Sequence, residues 1–368
     1  LVHGGTVAPA HAGRKHKVEI HLAGRESNFQ AVRTVNRIES EFVFALCNPG
    51  SEKALKLEVE ALASGWRPSY QRRGFATFKS DAAFSLDSLD SLDSLDSLDA
   101  PLACARRLCL SLGKSTTPQE ALQRVEAASV IHHARYFERK MQGLPCAVRP
   151  KTGQIIGTVV ELGPAEFWAG LHRHAPFLSP DPAGDPGIEM PPTSPSRAWL
   201  KLEEAIRFFD LEFTPADIVV ELGCAPGGVV LALLQRGVSV IGVDPAKMAA
   251  VVTDSAIASR QDVPAGRPWF YHCRKPAALA SKRDLGHGVT WFMSDMNQAP
   301  DVVLKECARF RRMAPGIHGA LITLKLTDLS QVADRCRWVA ALTDMGFKTI
   351  RLQQLGAHHK EFALLGMC

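Results

Sequence analysis

The chain has 368 residues, 46% of them apolar and 22% charged, with a formal net charge of +5. At roughly 100–200 residues per domain this length predicts two or three domains, and the composition excludes wholesale disorder, collagen and coiled coil. The charge is too mild to establish nucleic-acid binding but permits local basic patches. No run of about 18 uncharged apolar residues is present, so no membrane-spanning helix is expected. The opening LVHGGTVAPAHAGRKHK lacks the apolar stretch of a secretory signal. Nine dispersed cysteines without a CxxC pair argue against zinc and against a disulfide framework. They fit a reducing compartment, so a cytoplasmic location is expected.

In chain order, residues 1–41 read as an N-terminal arm, with Lys17–His21 as a candidate strand. Residues 42–175 read as an α+β region, with strands at Phe42–Leu46 and Ala76–Phe78 and helices at Glu52–Ala63 and Pro118–Ala128. Ser85–Asp99 is five copies of the triplet SLD. A period of three matches neither a strand nor an α-helix, so the insert reads as a mobile acidic surface loop. His132-His133-Ala134-Arg135 with Arg139-Lys140 reads as the basic face of a helix. Residues 176–195 hold seven prolines and read as a linker.

Residues 196–368 alternate strand and helix. SPSRAWLKLEEAIRFF reads as a helix capped by Ser194 or Ser196. Strands follow at Ile218–Leu222, Val238–Val243, Val289–Met293, Ala320–Leu324, Thr349–Leu352 and Phe362–Gly366. Helices fall at Gly228–Gln235, Val302–Met313 and Ser330–Met345. This alternation predicts an α/β, Rossmann-like domain with a mostly parallel sheet and an antiparallel pair at its edge.

The strongest local signal is VVELGCAPGGVV, Val219–Val230. A strand ends in Glu221, turns through Gly223 and reaches Pro226-Gly227-Gly228 at a helix start, where glycines admit close approach of a ligand and backbone N–H groups converge. Asp244 closes the next strand 21 residues after Gly223, the place for an acid that accepts from a ribose diol. The turn departs from the GxGxxG of dinucleotide sites. Glu221 would repel a pyrophosphate but not the sulfonium and amino group of S-adenosylmethionine. That cofactor is the favoured reading, with a dinucleotide or a purely structural turn as the alternatives.

Four further ionisable residues stand on separate elements: Lys201 on the helix after the linker, Asp295 after VTWFMS, Lys325 after ALITL and Glu361 opening EFALLG. Asp295 and Lys325 close their strands, where open α/β sheets bind ligands. Each residue alone reads as a solvated charge; together with the glycine turn they read as a site.

These residues resemble the FtsJ-like ribose 2′-O-methyltransferases, and among them the bacterial large-subunit ribosomal RNA (cytidine-2′-O)-methyltransferases of the RlmM type. The resemblance rests on SRAWLKLEEA, ELGCAPGG, SDM, LKL and HKEFAL over Pro195–Cys368, and touches FALCNPGSEKAL (Phe44–Leu55). It implies a Lys-Asp-Lys-Glu tetrad at Lys201, Asp295, Lys325 and Glu361. It further implies S-adenosylmethionine held by Glu221, Gly223, Pro226, Gly227, Gly228, Asp244 and Asp295, with no metal. It implies a THUMP-type RNA-binding module in the N-terminal half and an enzyme of ribosomal RNA processing; a monomer is expected, although sequence does not give the oligomeric state. Two departures stand out. Glu221 replaces the usual Asp, and WFYHCRKP lacks the acid that members place near His272–Cys273 to contact adenine.

A ribose hydroxyl is a poor nucleophile at neutral pH and needs a base. Lys325 is read as that base, with Lys201, Asp295 and Glu361 orienting it. RNA contacts are expected from GWRPSYQRRGFATFK, where Arg67, Arg72, Arg73 and Lys79 interleave with Trp66, Tyr70, Phe75 and Phe78. A strand with aromatic core residues and a basic outer face is the alternative. His172-Arg173-His174 are expected to line an interdomain cleft, and His358-His359-Lys360 to face substrate. Two rival functions remain: a non-catalytic RNA-binding protein that keeps the methyltransferase fold, and a small-molecule methyltransferase.

Overall fold

The computed structural model describes residues 38–62, 65–93, 102–127, 131–136, 150–175, 178–258, 262–263 and 266–368. The strand expected at Lys17–His21, most of the N-terminal arm, the end of the SLD repeats and Arg139-Lys140 lie outside them.

The N-terminal half is built from β1 (Glu39–Cys47), α1 (Glu52–Leu62), β2 (Arg67–Arg72), β3 (Phe75–Ser85), α2 (Leu86–Asp93), β4 (Ala105–Ser115), α3 (Pro118–Glu126), β5 (Ile131–Tyr136), β6 (Ile155–Gly163) and β7 (Glu166–Arg173). Its strands form one sheet of order β2-β3-β1-β4-β7-β6-β5. Alternate residues of β1 serve opposite faces: Val43 and Ala45 join one apolar cluster, Phe44 and Leu46 another.

Two expectations fail here. The start of the SLD repeat is helical rather than a loop, because leucines three apart lie on one side of a helix. Leu86 and Leu89 are buried beside Phe84, and Asp87 accepts from Arg173 at 3.0 Å. Residues 131–136, read as a helix face, form β5, a strand parallel to β6. Their β-branched and aromatic ends, Ile131 and Tyr136, suit a strand.

The C-terminal half follows as α4 (Ala198–Phe209), β8 (Ile218–Leu222), α5 (Gly228–Gln235), β9 (Ser239–Val243), α6 (Ala250–Thr253), β10 (Phe270–Cys273), α7 (Lys282–Leu285), β11 (Trp291–Ser294), α8 (Pro300–Met313), β12 (Gly319–Lys325), α9 (Arg335–Asp344), β13 (Thr349–Gln353) and β14 (Glu361–Met367). Its sheet runs β10-β9-β8-β11-β12-β14-β13. The first five strands are parallel, and β14 is antiparallel to both neighbours, as the sequence predicts. The edge strand β10 escaped sequence reading because it is four residues long and only its ends are buried. The helix expected from Ser330 begins as a 3₁₀ turn, Leu329–Asp334, before α9. Neither Ser194 nor Ser196 is the N-cap of α4; that position is Arg197.

Strand order reverses at β8, whose neighbours are β9 and β11. That reversal opens a crevice at the carboxyl ends of β8 and β11. The side-chain period of two then decides what faces it. Val219, Met293, Leu321 and Ala363 belong to the cluster under α4 and α5, whereas Val220, Phe292, Ile322 and Phe362 belong to the one under α8 and α9. Glu221, Asp295, Lys325 and Glu361 share the odd-numbered positions and therefore the α4 side of the sheet.

The segment expected as a linker is tied to both halves. The fully buried Arg107 donates to the carbonyls of Ser179 and Asp181 at 3.0 and 2.8 Å, and the Asp181 carboxylate accepts from Arg207 of α4 at 2.8 Å. His172 is buried against Arg107, with 2.7 Å between His172 Nε2 and the guanidinium, and His174 is buried too. Neither lines an interdomain cleft.

Candidate active site

Helix α4 packs across the sheet through Leu202 and Ala205, which brings Lys201 over the strand ends. Lys201 Nζ lies 3.1 and 3.2 Å from the two Asp295 carboxylate oxygens, and 3.1 and 2.9 Å from the two of Glu361. Lys325 Nζ donates to the Asp295 carbonyl at 2.9 Å and lies 3.2 Å from Asp295 Oδ1. All four residues of the expected tetrad thus form one chain of contacts, Glu361 to Lys201 to Asp295 to Lys325. Register helps to set this: Lys325 and Glu361 are direct partners across β12 and β14, and Asp295 N is anchored on the Leu222 carbonyl at 3.1 Å. The four side chains retain 14–23% of their exposure, enough to meet a ligand from the cleft.

The glycine turn forms the opposite wall. Gly223 has φ +75°, and a Cβ there would stand 2.9 Å from Met296 Cα. Gly227, at φ +115°, is the N-cap of α5. At Gly228 a Cβ would meet Ser196 Oγ at 2.3 Å and Trp199 N at 2.8 Å, so this glycine lets α5 pack against the start of α4. Asp244 receives Ala225 N at 3.2 Å on Oδ2 and Ala246 N at 2.8 Å on Oδ1. These bonds fix its carboxylate at the tip of β9. A cleft of about 430 Å³ is lined by both walls, with Gly223, Pro226, Asp244, Asp295, Lys325 and Glu361 among its residues.

Glu221 is 1% exposed, and its Oε2 has no hydrogen-bond partner. Burial, reinforced by the Asp295 and Asp244 carboxylates, pushes its carboxyl well above the ordinary range. A buried acceptor surrounded by negative charge calls for a cation. Buried Glu221 with Asp244 at the strand tips fits a ligand carrying positive charge and a ribose, and fits a dinucleotide pyrophosphate poorly. Near the expected adenine position His272 stacks on Phe270 and its Nε2 lies 2.9 Å from the Asp244 carbonyl. No group of three or more metal-ligating side chains is present among the described residues.

Three residues that sequence reading missed hold the turn between β13 and β14, which delivers Glu361. Arg197 donates to the Ala357 carbonyl at 2.9 Å and lies 2.8 Å from His359 Nε2. Glu204, three residues after Lys201 and on the same side of α4, accepts from Ala357 N at 2.6 Å. Asn48, in the N-terminal half, donates to the Leu355 and His358 carbonyls at 2.7 and 2.8 Å. The i, i+3 spacing of Lys201 and Glu204 was the one legible signal. Of the histidines read as facing substrate, His359 lines the cleft but His358 is 2% exposed and faces inward. Burial and the nearby Lys201 and Arg197 push His358 down to about 3.

On the hairpin of β2 and β3 the structural alternative holds for the aromatics. Phe75 and Phe78 are fully buried, and Trp66 packs edge-on against Phe84. Tyr70 stacks on Trp168 and bonds Glu166. The cations face outward. Arg67 pairs with Asp81, Arg72 lies over the Tyr70 ring at 4.6 Å and 3.5 Å from Glu166, and Arg73 and Lys79 are exposed.

A parallel sheet with a glycine turn and an acid on the next strand tip, both at the strand-order reversal, defines a Rossmann-like nucleoside-binding domain. Residues 195–314 match the model of the FtsJ-like methyltransferase family. Among curated proteins it is 34% identical over 168 residues to the ribosomal RNA large subunit methyltransferase M of Halorhodospira halophila, covering 45% of this chain and 41% of that protein. It is 46% identical over 78 residues to the protein of the same name from Actinobacillus pleuropneumoniae, covering 20% and 22%. The chain thus spans less than half the length of the curated relatives it matches. Among solved structures, TrmN from Thermus thermophilus aligns over 89% of this chain and 99% of its own, at 14% identity and a TM-score of 0.32.

Proposed function

We propose that this chain methylates a ribose 2′-hydroxyl of RNA with S-adenosylmethionine, and that the RNA is large-subunit ribosomal RNA with a cytidine as target. The observation that carries the reading is the assembly of Lys201, Asp295, Lys325 and Glu361 at the strand ends, facing the same cleft as the glycine turn. The names of the matched relatives support large-subunit ribosomal RNA as the substrate.

The cofactor supplies an electrophilic methyl group on a sulfonium. The buried Glu221 would face its positive charge, Gly223, Pro226, Gly227 and Gly228 would form the turn beside it, and Asp244 would accept from its ribose. Lys201 is engaged by two carboxylates, whereas Lys325 is engaged by one, Asp295, through its carboxylate and its carbonyl. Lys325, the less engaged of the two, is therefore assigned as the base. It takes the 2′-hydroxyl proton on Nζ while the oxygen bonds the methyl carbon and the carbon–sulfur bond breaks, leaving a thioether. Asp295 aims both lysines, Glu361 holds Lys201, and proximity supplies much of the acceleration. Arg67, Arg72, Arg73 and Lys79 form the outer face of a hairpin read as the RNA contact, acting on phosphates rather than through stacking. The hairpin and its sheet are assigned to a THUMP-type module.

The test is transfer of labelled methyl from S-adenosylmethionine to total RNA that lacks the modification, with nuclease mapping. A nuclease-resistant 2′-O-methyl nucleotide in large-subunit RNA is expected. Cofactor binding without label in any RNA would overturn the assignment in favour of a non-catalytic RNA-binding protein. Label on a free metabolite would favour a small-molecule enzyme.

A further inference from the structure

The motif Asn48-Pro49-Gly50-Ser51-Glu52 lies in the half of the chain that holds none of the tetrad, yet it reaches the site. Asn48 is 3% exposed and every polar atom of its amide is used. Oδ1 accepts from Arg106 at 3.1 Å, and Nδ2 gives its hydrogens to the Leu355 and His358 carbonyls. Glu52 fixes the approach: Oε1 accepts from Gly50 N at 3.1 Å and from Gly74 N. The turn that Asn48 grips is Gln354–Lys360, the only connection between β13 and β14, and it leads directly into Glu361.

From this geometry we infer that Asn48 is a positioning residue for methyl transfer: it holds the 354–360 turn so that Glu361 and His359 stand in register with Lys201. The inference rests on the function proposed above. The turn is clamped on its other side by Glu204 at Ala357 N and by Arg197 at the Ala357 carbonyl, and within itself by Gln354 Nε2 on the His359 carbonyl at 2.6 Å. Asn48 is a side-chain clamp contributed by the N-terminal half, beside the Ala103 carbonyl that accepts from Gln354 N at 2.8 Å. Without Asn48 the His358 carbonyl loses that donor and the Leu355 carbonyl keeps only His358 N at 3.0 Å, which favours a different turn conformation, and the first side chain to move is Glu361. The half that presents RNA thereby enters the rate of the chemical step and not only substrate affinity.

The test combines two readouts on the full chain carrying Asn48→Ala or Asn48→Ser, the latter retaining one donor. Backbone amide exchange over residues 354–361 is expected to rise about tenfold in Asn48→Ala and less in Asn48→Ser, as befits two lost hydrogen bonds and one. Exchange over residues 218–227 should not change. At saturating RNA and cofactor, kcat should fall by a similar factor while the cofactor Kd stays within about twofold. Arg337→Gln, which breaks the exposed Arg337–Asp301 pair between α9 and α8, is the control and should leave kcat nearer wild type. Unchanged exchange in the turn, or an equal kcat loss in the control, would overturn the inference. Should wild-type protein transfer no methyl to RNA, the proposed function fails, and the exchange readout still decides whether Asn48 holds the turn.

Discussion

Replacing Glu204 by glutamine should alter how stability depends on pH, with a sign fixed by its surroundings. Burial is the main cause that raises this carboxyl from 4.5 to about 7, although Ala357 N bonds it. Between these pH values the folded protein keeps a proton that the unfolded chain has released, so this residue makes stability fall as pH rises. The interval is worth about 3 kcal/mol at roughly 1.4 kcal/mol per pH unit. His358, in the turn that Glu204 grips, acts in the opposite sense. Its imidazole is lowered from 6.5 to about 3, so its contribution to stability is lost as pH falls through that range. From pH 4.5 to 6.5 the two slopes cancel in the wild type. In the Glu204→Gln variant the amide oxygen can still accept from Ala357 N but does not titrate, so the variant exposes the His358 slope. Urea denaturation of both proteins at about pH 5, 6, 7 and 8 measures the difference. Variant stability relative to wild type should climb by about 3 kcal/mol from the acid end to about pH 7 and then level. A difference that does not change with pH would refute the account of Glu204 as a buried acid protonated near neutrality.

The site yields further expectations. Lys325→Ala should lower kcat by about 100- to 10,000-fold, the range for a lost general base, with cofactor binding by calorimetry unchanged; retained turnover would remove Lys325 from that role. Gly228→Ala forces a Cβ against Ser196 Oγ and Trp199 N and should cost about 1–3 kcal/mol by overpacking, read as a lowered Tm. Arg73→Ala and Lys79→Ala should each weaken RNA binding for all sequences alike and reduce the salt slope of log K by about one, measured by filter binding from low to moderate salt. An unchanged slope would take the hairpin out of the RNA contact.

The site was legible wherever a local rule sufficed. The alternation of apolar strands and helices is a nearest-neighbour pattern, so the parallel sheet and its antiparallel edge could be read from it. Asp295 and Lys325 announced themselves as charges closing apolar strands. The contacts of Asn48 escaped because its partners, the Leu355 and His358 carbonyls, stand about 300 residues away in sequence. Backbone carbonyls leave no trace in residue identity. Glu204 escaped for the opposite reason: its i, i+3 spacing from Lys201 is visible, but on a helix rich in charge that spacing does not mark it as buried. The SLD repeat misled because a period of three suggests no regular element, yet two of its leucines suffice to pin a short helix to a core. The basic aromatic stretch misled in part because Phe75 and Phe78 look the same in sequence whether they stack on a base or fill an interior.

The pairing of Lys325 with Glu361 across two antiparallel strands makes the site intolerant of one kind of change above others. Sliding β14 by a single residue would turn Glu361 to the α8 and α9 side and bring Phe362, fully buried in that core, round to the cleft. Residues around the cleft can therefore be exchanged one at a time at graded cost. Gaining or losing one residue between Gln353 and Glu361 can throw the charged and greasy sides of the strand over together, and a library of variants should show the asymmetry: many substitutions survive in this stretch and almost no insertions or deletions do.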